Sequence, residues 1–154
     1  MTGAELISAV TRLEAAAQPR EKVNMPAVVI PSAIVPDFMR TMRDDPQLAF
    51  DMLCTHTAVD RIGEGRFELL YVLYSTKHRH SLTVSAMIPR ENPEVGSVSG
   101  VWAVAEWQER EVYDLLGVLY ANHPDLRRLL LEDDWKGFPL RKDYKDDFML
   151  ELPK

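Results

Sequence analysis

Apolar residues recur along the chain at two spacings, and the changes between them mark out its elements. Leu6, Val10, Leu13 and Ala17 follow the three-to-four-residue repeat of a helix face. This predicts a helix over residues 4–18, capped by Thr2 and stopped by Pro19. Residues 22–30 gather Val23, Val28, Val29 and Ile30 into a short strand. Pro26 has no N–H to give to a ladder, so this strand lies at an edge or starts late. A second helix is predicted over 35–43. Pro36 suits its first turn, Phe38, Met39 and Met42 form its apolar stripe, and Asp44-Asp45-Pro46 ends it.

The spacing then changes. Residues 52–60, 67–75 and 81–88 read as three strands. In the third, Leu82, Val84, Ala86 and Ile88 alternate with Thr83, Ser85 and Met87, as in a strand with one face inward. The links 61–66, which hold Gly63-Glu64-Gly65, and 76–80 are of hairpin length, so the three strands should be antiparallel. Residues 89–99 read as a loop. Helical spacing returns over 103–116, with Gly117 as its C-terminal stop. His123-Pro124-Asp125 is expected to open a short helix through Leu130. The expected fold class is α+β: an antiparallel sheet with helices packed on one face and an extended C-terminal arm. Residues 1–131 form the core domain. Residues 132–154 are too polar to build a core and form an arm that contacts a partner.

Composition narrows what such a domain can do. At 154 residues the chain fits one domain with a substantial core. Its net charge of −6 argues against binding a nucleic-acid backbone. The single cysteine, Cys54, can form no internal disulfide and cannot hold an iron–sulfur cluster. No Gly-rich phosphate loop is visible. The start of the chain lacks the basic and apolar pattern of a signal peptide. The longest apolar runs fall short of the roughly 20 residues of a membrane span. A soluble or peripheral protein is expected, and any electrons it helps to move are carried by other subunits.

Several groups of residues could carry chemistry. His78 and His80 can share a strand face, but no third metal ligand is near, so the histidines read as turn or surface residues. Cys54 and His56 share a strand face but lack an orienting acid, and Cys54 reads as a small buried thiol. The helix is richer. Glu106–Arg110 and Arg110–Asp114 have ion-pair spacing, and Glu111 and Asp114 lie near Trp107. A stand-alone enzyme would use Glu111 and Asp114 as an acid/base pair. The simpler reading is a charged face that binds a partner. In the arm, Trp135, Phe138, Leu140 and Tyr144 supply spaced anchors among mixed charges, as in a segment lying along another protein.

Three ordered blocks resemble one family. They are Glu109-Arg110-Glu111-Val112-Tyr113-Asp114-Leu115-Leu116-Gly117, His123-Pro124-Asp125-Leu126-Arg127-Arg128 and Asp133-Asp134-Trp135-Lys136-Gly137-Phe138-Pro139-Leu140-Arg141-Lys142-Asp143-Tyr144. Together they resemble the signature of the C-type subunit of complex I, also called its 30 kDa-type subunit. Similarity extends back through Thr57-Ala58-Val59-Asp60 and Phe67-Glu68-Leu69-Leu70-Tyr71. Arg61 stands where the family usually has an aromatic, Glu106 where Asn is common, and Lys145 where Pro often follows.

The resemblance implies a non-catalytic assembly subunit in the peripheral arm of an NADH–quinone oxidoreductase, on the cytoplasmic face of the membrane. It would carry no cofactor; FMN, iron–sulfur clusters and quinone would belong to partner subunits. It would dock against the quinone-pocket subunit, which resembles a hydrogenase large subunit, and near the iron–sulfur subunits. Related subunits serve in F420H2 dehydrogenases and energy-converting hydrogenases. The interface residues implied by the motif are Glu109, Arg110, Glu111, Tyr113, Asp114, Gly117, His123, Pro124, Asp125, Arg127, Arg128, Trp135, Pro139, Leu140, Arg141, Lys142 and Asp143.

Overall fold

The computed structural model describes residues 1–21 and 23–147. Helix α1 (Gly3–Leu13) opens with a capping box, in which the Thr2 hydroxyl accepts the Glu5 N–H and the Glu5 carboxylate accepts the Thr2 N–H. Leu6 and Val10 are buried, but the helix ends five residues before the expected stop. The Glu14 side chain accepts the Ala16 N–H and its carbonyl accepts the Ala17 N–H, which turns the chain back. Ala17 is therefore buried by the turn, while Leu13 is exposed.

The strand β1 (Gln18–Pro19) pairs antiparallel with β2 (Ala27–Pro31). β2 starts just after Pro26, as the missing N–H requires. Helix α2 (Val35–Asp44) buries Val35, Phe38, Met39 and Met42. The three expected strands follow as β3 (Met52–Arg61), β4 (Arg66–Ser75) and β5 (His80–Pro89), an antiparallel meander with Gly65 in the left-handed region at the first turn. The sheet order is β1-β2-β5-β4-β3, and β2 runs parallel to β5. The five-stranded sheet is thus mixed: its meander is antiparallel, and the parallel pair joins strands far apart in sequence that no hairpin pattern links.

One face of the sheet carries Phe67, Leu69, Tyr71 and Leu73 from β4 and Leu82, Val84, Ala86 and Ile88 from β5. These join the buried residues of α1 and α2 in one hydrophobic cluster. His56, Ala58 and Asp60 of β3 lie opposite Tyr71, Leu69 and Phe67. A register shift between Leu53 and Thr55 makes Cys54 an extra residue. Cys54 is consequently exposed and not the buried thiol expected, and it does not share a face with His56 in the simple alternating sense.

The loop after β5 contains β6 (Glu94–Gly96). Helix α3 (Ala105–Leu116) packs on β3, and β7 (Leu119–Ala121) returns parallel to β6. α3 ends at Gly117, whose φ of 77° is the left-handed stop expected. Residues 123–130, expected as a short helix, form turns and irregular chain. Side chains of α3 bond several of their main-chain groups instead.

Candidate functional site

The three signature blocks converge on α3. Arg110 directs Nε to the carbonyl of Arg127 (3.1 Å) and Nη2 to that of Arg128 (3.0 Å). Asp114, fully buried, accepts the N–H groups of Leu129, Leu130 and Leu131 at 3.0, 2.6 and 2.9 Å. It also pairs with Arg128 at 2.8 Å. Carbonyls on one side and N–H groups on the other are thus held by two helix residues one turn apart, and this fixes residues 127–131 along α3. The two ion pairs expected within the helix do not form among the described residues, because Arg128 takes Asp114 and Arg110 serves the main chain. Burial acts to raise the Asp114 pKa, but Arg128 and the three N–H donors outweigh it and hold the carboxyl below its usual range.

The turn before this segment is held by His123. Its Nδ1 accepts the Asp125 N–H (3.0 Å) and its Nε2 faces the Glu106 carbonyl (3.0 Å). Asp125 pairs with Arg127 at the surface. Glu109 is fully buried and accepts the Ser97 hydroxyl (2.6 Å) and the Val98 N–H (2.7 Å). Burial pushes its carboxyl up to about 7.

Residues 132–147 of the arm lie against the end of this helix. The Leu140 N–H bonds the Leu115 carbonyl (3.0 Å), and Arg141 Nε bonds the Leu116 carbonyl (2.7 Å). Phe138 meets Tyr113 edge-on and lies beneath the guanidinium groups of Arg128 and Arg141. Asp60 accepts the Lys142 N–H and pairs with Arg90, which also holds Asp143. Arg141, one of the interface residues implied by the motif, is turned inward over Phe67. Residues 148–154, also assigned to the arm, lie outside the described residues.

The seventeen motif residues therefore divide. Glu109, Arg110, Asp114 and Gly117 are buried. Tyr113, His123, Asp125, Arg128, Pro139 and Arg141 are half-buried. Glu111, Pro124, Arg127, Trp135, Leu140, Lys142 and Asp143 are exposed. Trp107 and Leu130 add large apolar surface, at 55% and 63% exposure, and the Arg110 guanidinium lies over the Trp107 ring. The acid/base pair does not assemble: Glu111 faces solvent, while Asp114 is sealed inside with its arginine.

A buried polar cluster behind α3 escaped the sequence reading. His56 is buried, not at the surface, with Nδ1 on the Leu70 carbonyl (3.0 Å) and Nε2 on the Tyr120 hydroxyl (2.6 Å), and it stacks on Tyr71. Burial depresses its pKa to about 4. The one sequence signal was that His56 shares the inward phase of Ala58 and Asp60. His80 is buried too, and with His78 it bonds the carbonyls of Leu48 and Pro46. No group of three or more His, Cys, Asp or Glu among the described residues could hold a metal ion. No helix among them is long and apolar enough to cross a membrane.

Residues 28–147, which include all three blocks, match the family described as respiratory-chain NADH dehydrogenase, 30 Kd subunit. The C-type subunit of NADH-quinone oxidoreductase from Geobacter metallireducens is 52% identical over 99 residues, 63% of this chain and 61% of that protein. Its counterpart in Moorella thermoacetica is 39% identical over 126 residues, 82% of this chain and 84% of that protein. The counterpart in Chloroherpeton thalassium is 45% identical over 68% of this chain, which spans only 43% of its length. Several relatives are thus longer than this chain. Among solved structures, the trypsin-resistant fragment (1-134) of Nqo5 matches with a TM-score of 0.66 at 25% identity, over 81% of this chain and all of that one. A chain of the membrane-bound sulfane sulfur reductase, an archaeal respiratory membrane complex, shares the fold with a TM-score of 0.80 at 24% identity, over 94% of this chain and 86% of that one.

Proposed function

The chain belongs to the respiratory-chain NADH dehydrogenase 30 Kd subunit family, and we propose that it serves as a docking subunit in the peripheral arm of a complex I-type NADH–quinone oxidoreductase. It contributes surface, not redox chemistry. FMN, iron–sulfur clusters and quinone reside in its partners, and its contact with the membrane is made through the complex, on the cytoplasmic face. The partner it grips is the quinone-pocket subunit, with the iron–sulfur subunits nearby. Through that assembly it supports NADH-to-quinone electron transfer coupled to proton translocation.

The observation that supports this reading is the division of labour along α3. Arg110 and Asp114 are committed to holding the chain rigid. The same helix and the segment it holds leave Trp107, Glu111 and Leu130 facing outward. An exposed tryptophan with an arginine over its ring has the composition of an interface centre.

Co-expression with the quinone-pocket subunit of the same complex tests the proposal. Trp107→Ala and Glu111→Gln should leave the melting temperature of the chain within about 2 °C of wild type, as surface changes do. Trp107→Ala should weaken assembly by about 2 kcal/mol or more, and Glu111→Gln by a smaller amount. Unchanged affinity in the double variant would place the interface elsewhere.

A further inference from the structure

Three of the buried carboxylates have an arginine: Asp60 has Arg90, Glu68 has Arg20 and Arg61, and Asp114 has Arg128. Glu109 has none among the described residues, although it is as deeply buried as any of them. Its hydrogen-bond partners are the neutral Ser97 hydroxyl and Val98 N–H.

His123 Nε2 lies 3.8 Å from the Glu109 carboxylate, beyond hydrogen-bond reach. Both of its ring nitrogens are engaged by the main chain: Nδ1 accepts the Asp125 N–H, and Nε2 lies 3.0 Å from the Glu106 carbonyl. From β4 and β7 the groups near enough to sense the charge are the buried phenols of Tyr71 and Tyr120, whose own ionisation burial opposes. Behind them, His56 is kept neutral by burial. No arginine or lysine among the described residues forms an ion pair with Glu109.

The Ser97 hydroxyl lies 2.7 Å from that of Ser99, and both serines are only half-buried. The row satisfies either state of the carboxyl. When Glu109 is ionised, Ser99 donates to Ser97 and Ser97 to Oε2. When it is neutral, the same row reverses, with Oε2–H donating to Ser97 and Ser97 to Ser99. Oε1 keeps the Val98 N–H throughout.

We propose that Glu109 is a proton-binding site, filled and emptied through the Ser97–Ser99 hydroxyl pair, that makes the hold of α3 on residues 97–99 respond to pH near neutrality. A proton arriving at the Ser99 oxygen releases that hydroxyl's own proton to Ser97, which passes its own to Oε2. One O–H bond forms at the carboxyl for each proton taken from solvent, and both serines are regenerated.

The test is chemical denaturation of the full chain from about pH 5 to about pH 9, for wild type and Glu109→Gln. Glutamine keeps the size and an acceptor for the Val98 N–H. Because folding raises the proton affinity of Glu109, its contribution is fully present below its ordinary value of 4.5 and is lost as pH rises through about 7. The folding constant of wild type relative to Glu109→Gln should fall on the order of a hundredfold across that range. Parallel profiles overturn the proposal. Infrared spectroscopy of the wild-type chain is independent of the variant's folding. A buried protonated-carboxyl stretch should be present near pH 6 and gone near pH 9, roughly one unit or more either side of the transition. In Ser97→Ala, which removes a donor to the ionised form, the band should persist to higher pH. A wild-type chain with no such band near pH 6 (roughly one unit below the transition) also overturns the proposal.

Discussion

Glu109 and Asp114 stand five residues apart on one helix, both fully buried, and their surroundings move their proton affinities in opposite directions. The difference is the arginine. Asp114 faces Arg128 and three converging N–H groups, so its ionised form is the stable one. A carboxyl whose pKa is lowered by folding contributes stability above its unfolded value, and that contribution is lost as pH falls through the folded one. Asp114→Asn should therefore destabilise the chain at neutral pH by about 3 kcal/mol, since it leaves Arg128 without its counter-charge and weakens three main-chain bonds. The gap between wild type and variant should narrow in acid, below about pH 4. Denaturant unfolding at the two pH values measures it. Hydrogen exchange should show the amides of Leu129, Leu130 and Leu131 losing protection first. A variant as stable as wild type at neutral pH would mean that the network adds nothing net.

At the scale of elements, the legible parts were those whose signals are local. Alternation in β5, the stripe on α2 and the glycine after α3 all specify short-range geometry, and each appears where its pattern required. Gly117 shows how firmly. Its φ of 77° is one that ordinary side chains rarely adopt, and a Cβ there would come within 2.5 Å of the Phe138 ring. Gly117→Ala should cost about 1–2 kcal/mol for the backbone conformation alone, with more from displacement of Phe138. Thermal unfolding gives the total, and Phe138→Ala in the same background should remove the steric part but not the backbone part. Equal losses in both backgrounds would show that Phe138 does not press on this glycine. The misses came from a local turn, a bulge and partners distant in sequence. α1 stops early because Glu14 turns the chain, Cys54 is turned out by a bulge that periodicity does not announce, and β2 finds a parallel partner through tertiary packing. The helix expected over 123–130 has suitable local residues, but Arg110 and Asp114 bond its main chain instead. At the site, the blocks could be found by resemblance, whereas only coordinates sort buried Glu109 from exposed Glu111.

For the whole molecule, the open question is whether residues 132–154 belong to the core or to the partner. The contacts of residues 132–147 are spaced: Gly137 and Trp135 through Arg128, Phe138 over Gly117, Leu140 and Arg141 on the end of α3, and Lys142 and Asp143 on Asp60 and Arg90. Between these points the segment is largely exposed, and it forms neither helix nor strand there. Ordering such a backbone costs roughly 1–2 kcal/mol per residue, so scattered contacts leave little net stability in the isolated chain. Trp135 and Leu140 meanwhile keep 37% and 58% of their surface open. Removing residues 132–154 should accordingly lower the melting temperature only by about 2–8 °C, the effect of roughly 1–2 kcal/mol in a domain this size. The same removal should abolish assembly with the quinone-pocket subunit, because the segment's apolar anchors and its support of α3 are lost together. A collapse of the isolated domain on truncation would instead assign the segment to the core. Full assembly without it would leave α3 as the docking surface by itself.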